Sequence, residues 1–418
     1  MKDTEKIQIV KDLININSAN GNEGAVADYL INLFRAHGIR AVRIEQKPGR
    51  SNVVAEIGTG HHPIVGLAGH EDTVAVGDES KWRSNPFEAE TEGNVLTGLG
   101  ASDMKAGLAQ FAITFIELHE EDMVKTGTIR FIATISEELT AEGAAYIADE
   151  GYVSDLDVMM IAEPTGVPVS EIDRYFNGGA FIDSNSFFKL KKSVEGLPED
   201  DEQHFIVTAH KGWMTYTVTA HGKAAHSSMP KLGVNAVDTL IKYYVAEKDF
   251  YQGLTERNST LGETVYAPDI FHGGEQVNSI PDLAYERVKV RTIPELPNEE
   301  LIIRLRDLVA ELNQHPDVNL ELTVDYSERP VISDDKGKMV QILQKNAATT
   351  LQQAQNLPTI GVSLGTDASE FTRINPDMEV VILGPGNTSA HQVNEYLHLD
   401  TYLKMFPLFK RSIVDYLK

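Results

Sequence analysis

The sequence predicts a mixed α/β protein: a mainly parallel sheet with flanking helices, interrupted by an inserted α+β unit of ferredoxin-like order. Three observations predict this. The chain has 418 residues, more than one core of ordinary size holds. Short apolar runs alternate with amphipathic helical stretches over roughly the first 165 residues, the mark of strands and helices stacked in layers. From about residue 213 the order becomes β-α-β-β-α-β, and after about 330 the first pattern resumes.

Residues 4–18 place Ile7, Val10, Leu13 and Ile14 at helical spacing. Residues 22–37 do so with Val26, Leu30, Leu33 and Phe34, and Gly38 follows as a stop. Strand-forming runs come next, at 41–46, 52–57 and 63–68. The last is almost wholly apolar, as a strand covered on both faces must be. A helix is expected over 104–119, then buried strands over 128–135 and 157–162. Residues 167–209 fit neither pattern and read as a long excursion, either a functional segment or a plain surface lobe. The inserted unit spans 212–327, with strands at 214–221, 263–272, 284–293 and 318–325 and helices at 233–247 and 297–313. The outer domain is therefore discontinuous, 1–211 and 328–418, and closes with a helix at 336–354, a strand at 380–383 and a helix at 400–417.

Composition narrows the function classes. The net charge of −25 repels phosphate backbones, so no nucleic-acid partner is expected. There is no cysteine, which excludes disulfides and thiolate metal sites. Any metal must be held by His, Asp and Glu. No run approaches the roughly 20 apolar residues of a membrane span. The first residues, Met1 to Lys6, open an amphipathic segment with no apolar signal core. A cytoplasmic enzyme without a membrane partner is expected.

Five short patterns sit where predicted strands end or a helix begins. In Gly69-His70-Glu71-Asp72-Thr73, His70 and Asp72 share one face of an extended chain. Asp72 can fix the tautomer of a metal-bound His70 or be a ligand itself; alone, His-x-Asp is no more than a surface loop. Gly98-Leu99-Gly100-Ala101-Ser102-Asp103-Met104-Lys105-Ala106-Gly107 precedes a helix. Asp103 there is a plain N-cap or, given the glycine-rich approach, a carboxylate bridging two ions. Ser136-Glu137-Glu138 follows an apolar strand, so the pair sits at the rim of a buried sheet, where open α/β sheets bind ligands. Ala162-Glu163-Pro164-Thr165 and Ala390-His391-Gln392 complete the set. Each is unremarkable singly. Together they offer oxygen and nitrogen donors without sulfur, which suit Zn²⁺, Mn²⁺ or Co²⁺.

The ordered combination resembles the M20 metallopeptidase and deacylase family over nearly the whole chain. The resemblance implies a zinc-peptidase-like catalytic domain, an inserted lid and dimerisation domain, and two divalent ions, zinc first and cobalt or manganese next. It implies that His70 and Glu163 hold one ion, that Glu138 and His391 hold the other, and that Asp103 bridges both. Glu137 is then the general base and Asp72 the group that orients His70. The Asp103–Met104 bond is expected to be cis and strained. The motif Ala220-His221-Gly222-Lys223-Ala224-Ala225-His226-Ser227-Ser228 implies that His226 reaches a partner subunit's site and steadies an oxyanion, hence a homodimer. Asn278 and Arg291 are implied to bind substrate, Arg291 gripping a carboxylate, with Gly365 and Thr366 at a binding-loop edge.

The expected substrate is a small N-acyl amino acid or peptide. Within the family the motifs are most similar to desuccinylase-type members, which implies removal of succinate from N-succinyl-L,L-2,6-diaminopimelate. Acetylornithine deacetylation and di- or tripeptide hydrolysis share every metal residue. Two other classes are weighed. A catalytically silent, metal-stabilised binding protein would lack the base or a ligand, and a Mg²⁺ phosphohydrolase would carry a phosphate-cradling loop; this sequence does neither.

Overall fold

The structure is a computed structural model that describes residues 1–351 and 353–418. The chain forms two compact units. The first contains Met1–Ala209, Ile332–Val362 and Thr366–Lys418; the second contains His210–Val331 and Ser363–Gly365.

The first unit is built on one large sheet. Its four central strands, in spatial order Thr128–Thr134, Ile64–His70, Val158–Pro168 and Glu379–Asn387, run parallel. Antiparallel strands flank them on both sides, with Ala41–Lys47 and Arg50–Gly58 on one side and Ile206–His210, Thr359–Val362 and Ala180–Phe181 on the other. Ile64–His70 lies between two parallel neighbours and is buried at every residue. This explains its unbroken apolar run. Helix Lys105–Glu120 packs on that sheet beneath helices Asp3–Ile14 and Leu399–Leu417, and is buried from Lys105 to Leu118. Among the described residues no helix is long and apolar enough to cross a membrane.

Two of the expected strands run further than the sequence reading. The strand expected over 157–162 continues to Pro168, and that over 380–383 continues to Asn387. Pro164 and the glycines at 384 and 386 lie beyond the expected strand ends, yet they sit in strands that pair, with the register slipping around the Gly384–Pro164 pair. The slip absorbs the missing amide of proline. Gly107 and Gly384 serve close packing instead: a Cβ at either would fall 2.1 Å from the Ala162 carbonyl oxygen. The helix expected over 336–354 is present as Lys338–Thr350; its passage over residue 352 lies outside the described residues.

The expected excursion, 167–209, is folded rather than loop-like. It holds helices Ile172–Asn177 and Ser184–Ser193, and it lends strands Ala180–Phe181, Glu202–His204 and Ile206–His210 to the sheet.

The second unit has the order strand Gly212–His221, helix Ala236–Gln252, strands Val265–Gly273 and Leu283–Thr292, helix Asn298–Leu312 and strand Leu320–Glu328. All neighbouring strands are antiparallel. Period-2 alternation buries Met214, Tyr216, Val218 and Ala220 on one face, and both helices pack on this sheet. The buried layer also holds acids. Glu247 accepts a hydrogen bond from Tyr216, whose hydroxyl lies 3.1 Å from that of Tyr251. Glu286 is fully buried, and neither of its carboxylate oxygens meets a hydrogen-bond partner. Strand Val265–Gly273 is an edge, paired on one side only, and it exposes Val265, Ile270 and Phe271.

Candidate metal centre

The register of the parallel strands brings the motifs to one end of the sheet. His70 is the last residue of its strand and pairs with Thr134. Just beyond, Ser136 takes a left-handed φ of 61°. Such a φ is uncommon for a residue with a side chain and gathers at functional sites. The turn presents the amides of Glu137 and Glu138 to Asp72, whose two carboxylate oxygens accept from them at 3.1 and 3.3 Å. Glu163 lies within strand Val158–Pro168, and His391, also left-handed with φ of 63°, sits in the turn after Asn387. Asp103 stands before helix Lys105–Glu120, and the Asp103–Met104 peptide is cis.

Asp103 is the hub. Its Oδ1 lies 3.2 Å from His70 Nε2, and its Oδ2 lies 3.1 Å from His391 Nε2. Each histidine has a second carboxylate beside it: Glu163 Oε1 is 3.9 Å from His70 Nε2, and Glu138 Oε2 is 2.9 Å from His391 Nε2. His70 Nδ1 is 3.0 Å from the main-chain carbonyl of Asp72 and 3.6 Å from its carboxylate. The carbonyl is thus the nearer group orienting the ring, and the Asp72 carboxylate holds the Glu137–Glu138 turn.

Burial raises the Glu137 carboxyl well above the usual range, and repulsion from Glu163 adds to it. Burial and then Asp103 do the same to Glu163. Burial also works to raise Asp103, but hydrogen bonds from His391 and His70 outweigh it and hold that carboxyl below the usual range. Hydrogen bonds to Asp103 and Glu138 lift His391 to about 11. The cluster alone therefore keeps protons on histidines and carboxyls that divalent ions would displace.

Divalent ions fit the residues present. Glu138 and Glu163 each leave a buried carboxylate oxygen without a hydrogen-bond partner. His70 with Glu137 and Glu163, and His70 with Asp103 and Glu138, bring ligand atoms mutually within 4.8 Å. Unpaired buried carboxylates are costly unless cations offset them.

Two supporting carboxylates escape any sequence reading. Buried Glu395 accepts the main-chain amides of Gly100, Ser102 and Asp103 at 2.8, 2.7 and 2.7 Å, and so fixes the Asp103 loop. Buried Glu202, from the 167–209 segment, accepts from Asn387 Nδ2 at 2.7 Å and lies 3.2 Å from His398 Nδ1. It pins both ends of the turn that carries His391. Their partners are amides and side chains up to about three hundred residues away, so no local spacing marks either one.

The other predicted residues lie mostly in the second unit. Strand Ala225–His226 pairs with Ser279–Ile280, and the Ser227 amide donates to the Asn278 carbonyl at 3.1 Å, so His226 and Asn278 are neighbours. The Ser228 amide donates to His226 Nδ1 at 3.2 Å. An amide can only donate, so Nδ1 accepts and the ring proton resides on Nε2. Arg291 and Gly365 both approach the indole of Trp213. Thr366 belongs to the first unit, where its hydroxyl accepts from the Ala368 amide at 3.2 Å.

An α/β sheet whose strand ends gather two histidines and four carboxylates defines a candidate dinuclear metalloenzyme. The chain belongs to the M20/M25/M40 peptidase family, whose model matches residues 66–415; it is a hydrolase of that family. It is 34% identical to a probable succinyl-diaminopimelate desuccinylase of Staphylococcus aureus (strain MSSA476), over 99% of this chain and 98% of that one. Its fold is similar to that of a tripeptidase from Staphylococcus aureus, with a TM-score of 0.74 at 21% identity, covering 100% of this chain and 99% of the other. It is also similar to a metallo-carboxypeptidase of the M20 family from Sulfolobus solfataricus, with a TM-score of 0.76 at 16% identity and 100% of both chains covered.

Proposed function

We propose that the chain hydrolyses N-succinyl-L,L-2,6-diaminopimelate to succinate and the free diamino diacid. The observation that carries the hydrolytic reading is Asp103, which turns one oxygen to His70 and the other to His391. His70 and Glu163 would hold one ion and His391 and Glu138 the other, with Asp103 between them. Zinc suits this donor set first, and cobalt or manganese next. When bound, such a pair lowers the pKa of a water toward about 7 and polarises the scissile carbonyl. Glu137 accepts the water's proton and returns it to the departing amine. The Nε2 proton of His226 is a donor of the kind an oxyanion needs. Arg291 offers a planar fork to a substrate carboxylate.

The succinyl substrate rests on the similarity to the desuccinylase. The enzyme works in the cytoplasm as a homodimer, a reading supported by the absence of cysteine, the charge of −25 and the apolar edge strand Val265–Gly273. The test is a panel of N-succinyl-diaminopimelate, N-acetylornithine and a dipeptide, assayed by release of free amine. The succinyl compound is expected to react fastest, to stop on chelation and to resume on adding Zn²⁺ or Co²⁺. If the dipeptide is cleaved and the succinyl compound is not, the substrate reading is wrong. If chelation leaves the rate unchanged, the metal reading is wrong.

A further inference from the structure

Strand Leu283–Thr292 places Lys289 and Arg291 on the face away from the buried Val288 and Val290. Two residues apart on a strand, their side chains leave the sheet together, about 7 Å apart at the backbone. Between them stands Trp213, which pairs directly with Arg291 on the neighbouring strand. Lys289 Nζ lies 4.4 Å from the indole centroid and the Arg291 guanidinium carbon 5.8 Å from it. Both are within reach of a cation–π contact.

The indole is held on its other sides. Trp213 Nε1 donates to buried Glu328 at 2.7 Å, and the Tyr326 ring lies 4.4 Å away. Glu328 also accepts a hydrogen bond from Tyr326. A Cβ at Gly365 would come within 3.2 Å of the ring, so the glycine lets the main chain close over the indole. Among the described residues neither Lys289 nor Arg291 has a carboxylate in salt-bridge contact. Burial, followed by the charge of Arg291, lowers the pKa of Lys289. Two cations thus face one ring, their charges offset only in part by Glu328 near Arg291 and Asp269 near Lys289.

We propose that Lys289, Arg291 and Trp213 form a subsite for dicarboxylates, in which Lys289 takes a second carboxylate beside the one gripped by Arg291. A dianion meets both cations on this face, and a monoanion meets only one of them. The site therefore selects acyl amino acids with several carboxylates over those with one. This rests on the reading of Arg291 as a substrate-binding residue.

The test has a binding arm and a kinetic arm. Metal-loaded protein is titrated with succinate and with acetate while tryptophan emission is followed, and the Trp213 signal is identified by its loss in Trp213→Phe. Succinate should change the emission, and Lys289→Met should weaken succinate at least fivefold while altering acetate less than twofold. In the kinetic arm, Lys289→Met should raise KM for the succinyl substrate about tenfold, with kcat and the KM for N-acetylornithine within twofold. An unresponsive Trp213, or equal succinate affinity in Lys289→Met, overturns the subsite. The binding arm decides this even if none of the panel substrates is hydrolysed, so the two proposals fail separately.

Discussion

At the residue scale the proposed reaction turns on Glu137, a half-buried carboxylate that brings an oxygen within 4.8 Å of ligand atoms of His70 and Glu163. Glu137→Gln keeps the shape and removes the ability to accept a proton. Metal content should stay at the wild-type value, and turnover should fall about 10²–10⁴-fold; hydrolysis at the wild-type rate would remove Glu137 from its role. His70, Asp103, Glu138, Glu163 and His391 are legible in the sequence only as an ordered set: each is unremarkable singly, and their roles come from the family resemblance that the five patterns carry together. Glu395 and Glu202 are not. They act on distant amides and side chains, and only the assembled sheet edge brings those within reach.

At the scale of elements, helix Ala236–Gln252 and strand Leu283–Thr292 trap two acids between them. Burial pushes Glu247 up to about 7, and burial with repulsion from Glu247 pushes Glu286 up to about 8. A folded-state pKa above the unfolded value means that folding favours the protonated acid. The stability is complete below about 4.5, the ordinary carboxylate value, and is lost as pH rises through 7 to 8. The second unit should lose on the order of a few kcal/mol between pH 5 and pH 9. Thermal unfolding at both values checks this: Glu286→Gln should flatten the loss, and an equal fall in wild type and variant would refute the assignment. Elements with one period were legible to within a few residues. Those running through Pro164, Gly384 and Gly386 were not, because breaker residues are tolerated where a register slip or a tight contact replaces the lost bond. The 167–209 segment was illegible for a different reason: its strands are short and find their partners far along the chain.

At the scale of the whole molecule, one edge of the second unit's sheet is left open. Val265, Ile270 and Phe271 are exposed on a strand paired on one side only, a template for another chain. Ile241 and Val245 on helix Ala236–Gln252 are exposed as well. In the proposed homodimer a second copy would cover both. Phe271→Arg should shift the protein from dimer to monomer in sedimentation, with loss of hydrolysis if His226 serves its partner. A monomer of full activity would remove His226 from the reaction.

The two glycines against Ala162 extend this beyond the metal residues. Glu163 owes its position to the absence of side chains at 107 and 384, where a Cβ would collide with the Ala162 carbonyl oxygen at 2.1 Å. Neither residue contacts a ligand atom, and neither has a chemical function to lose. In a library of random variants both positions should nonetheless be as intolerant as the histidines, since even a methyl group at either one must displace the backbone that carries Glu163. The heritable information in this centre thus includes empty space, written in the sequence as glycine.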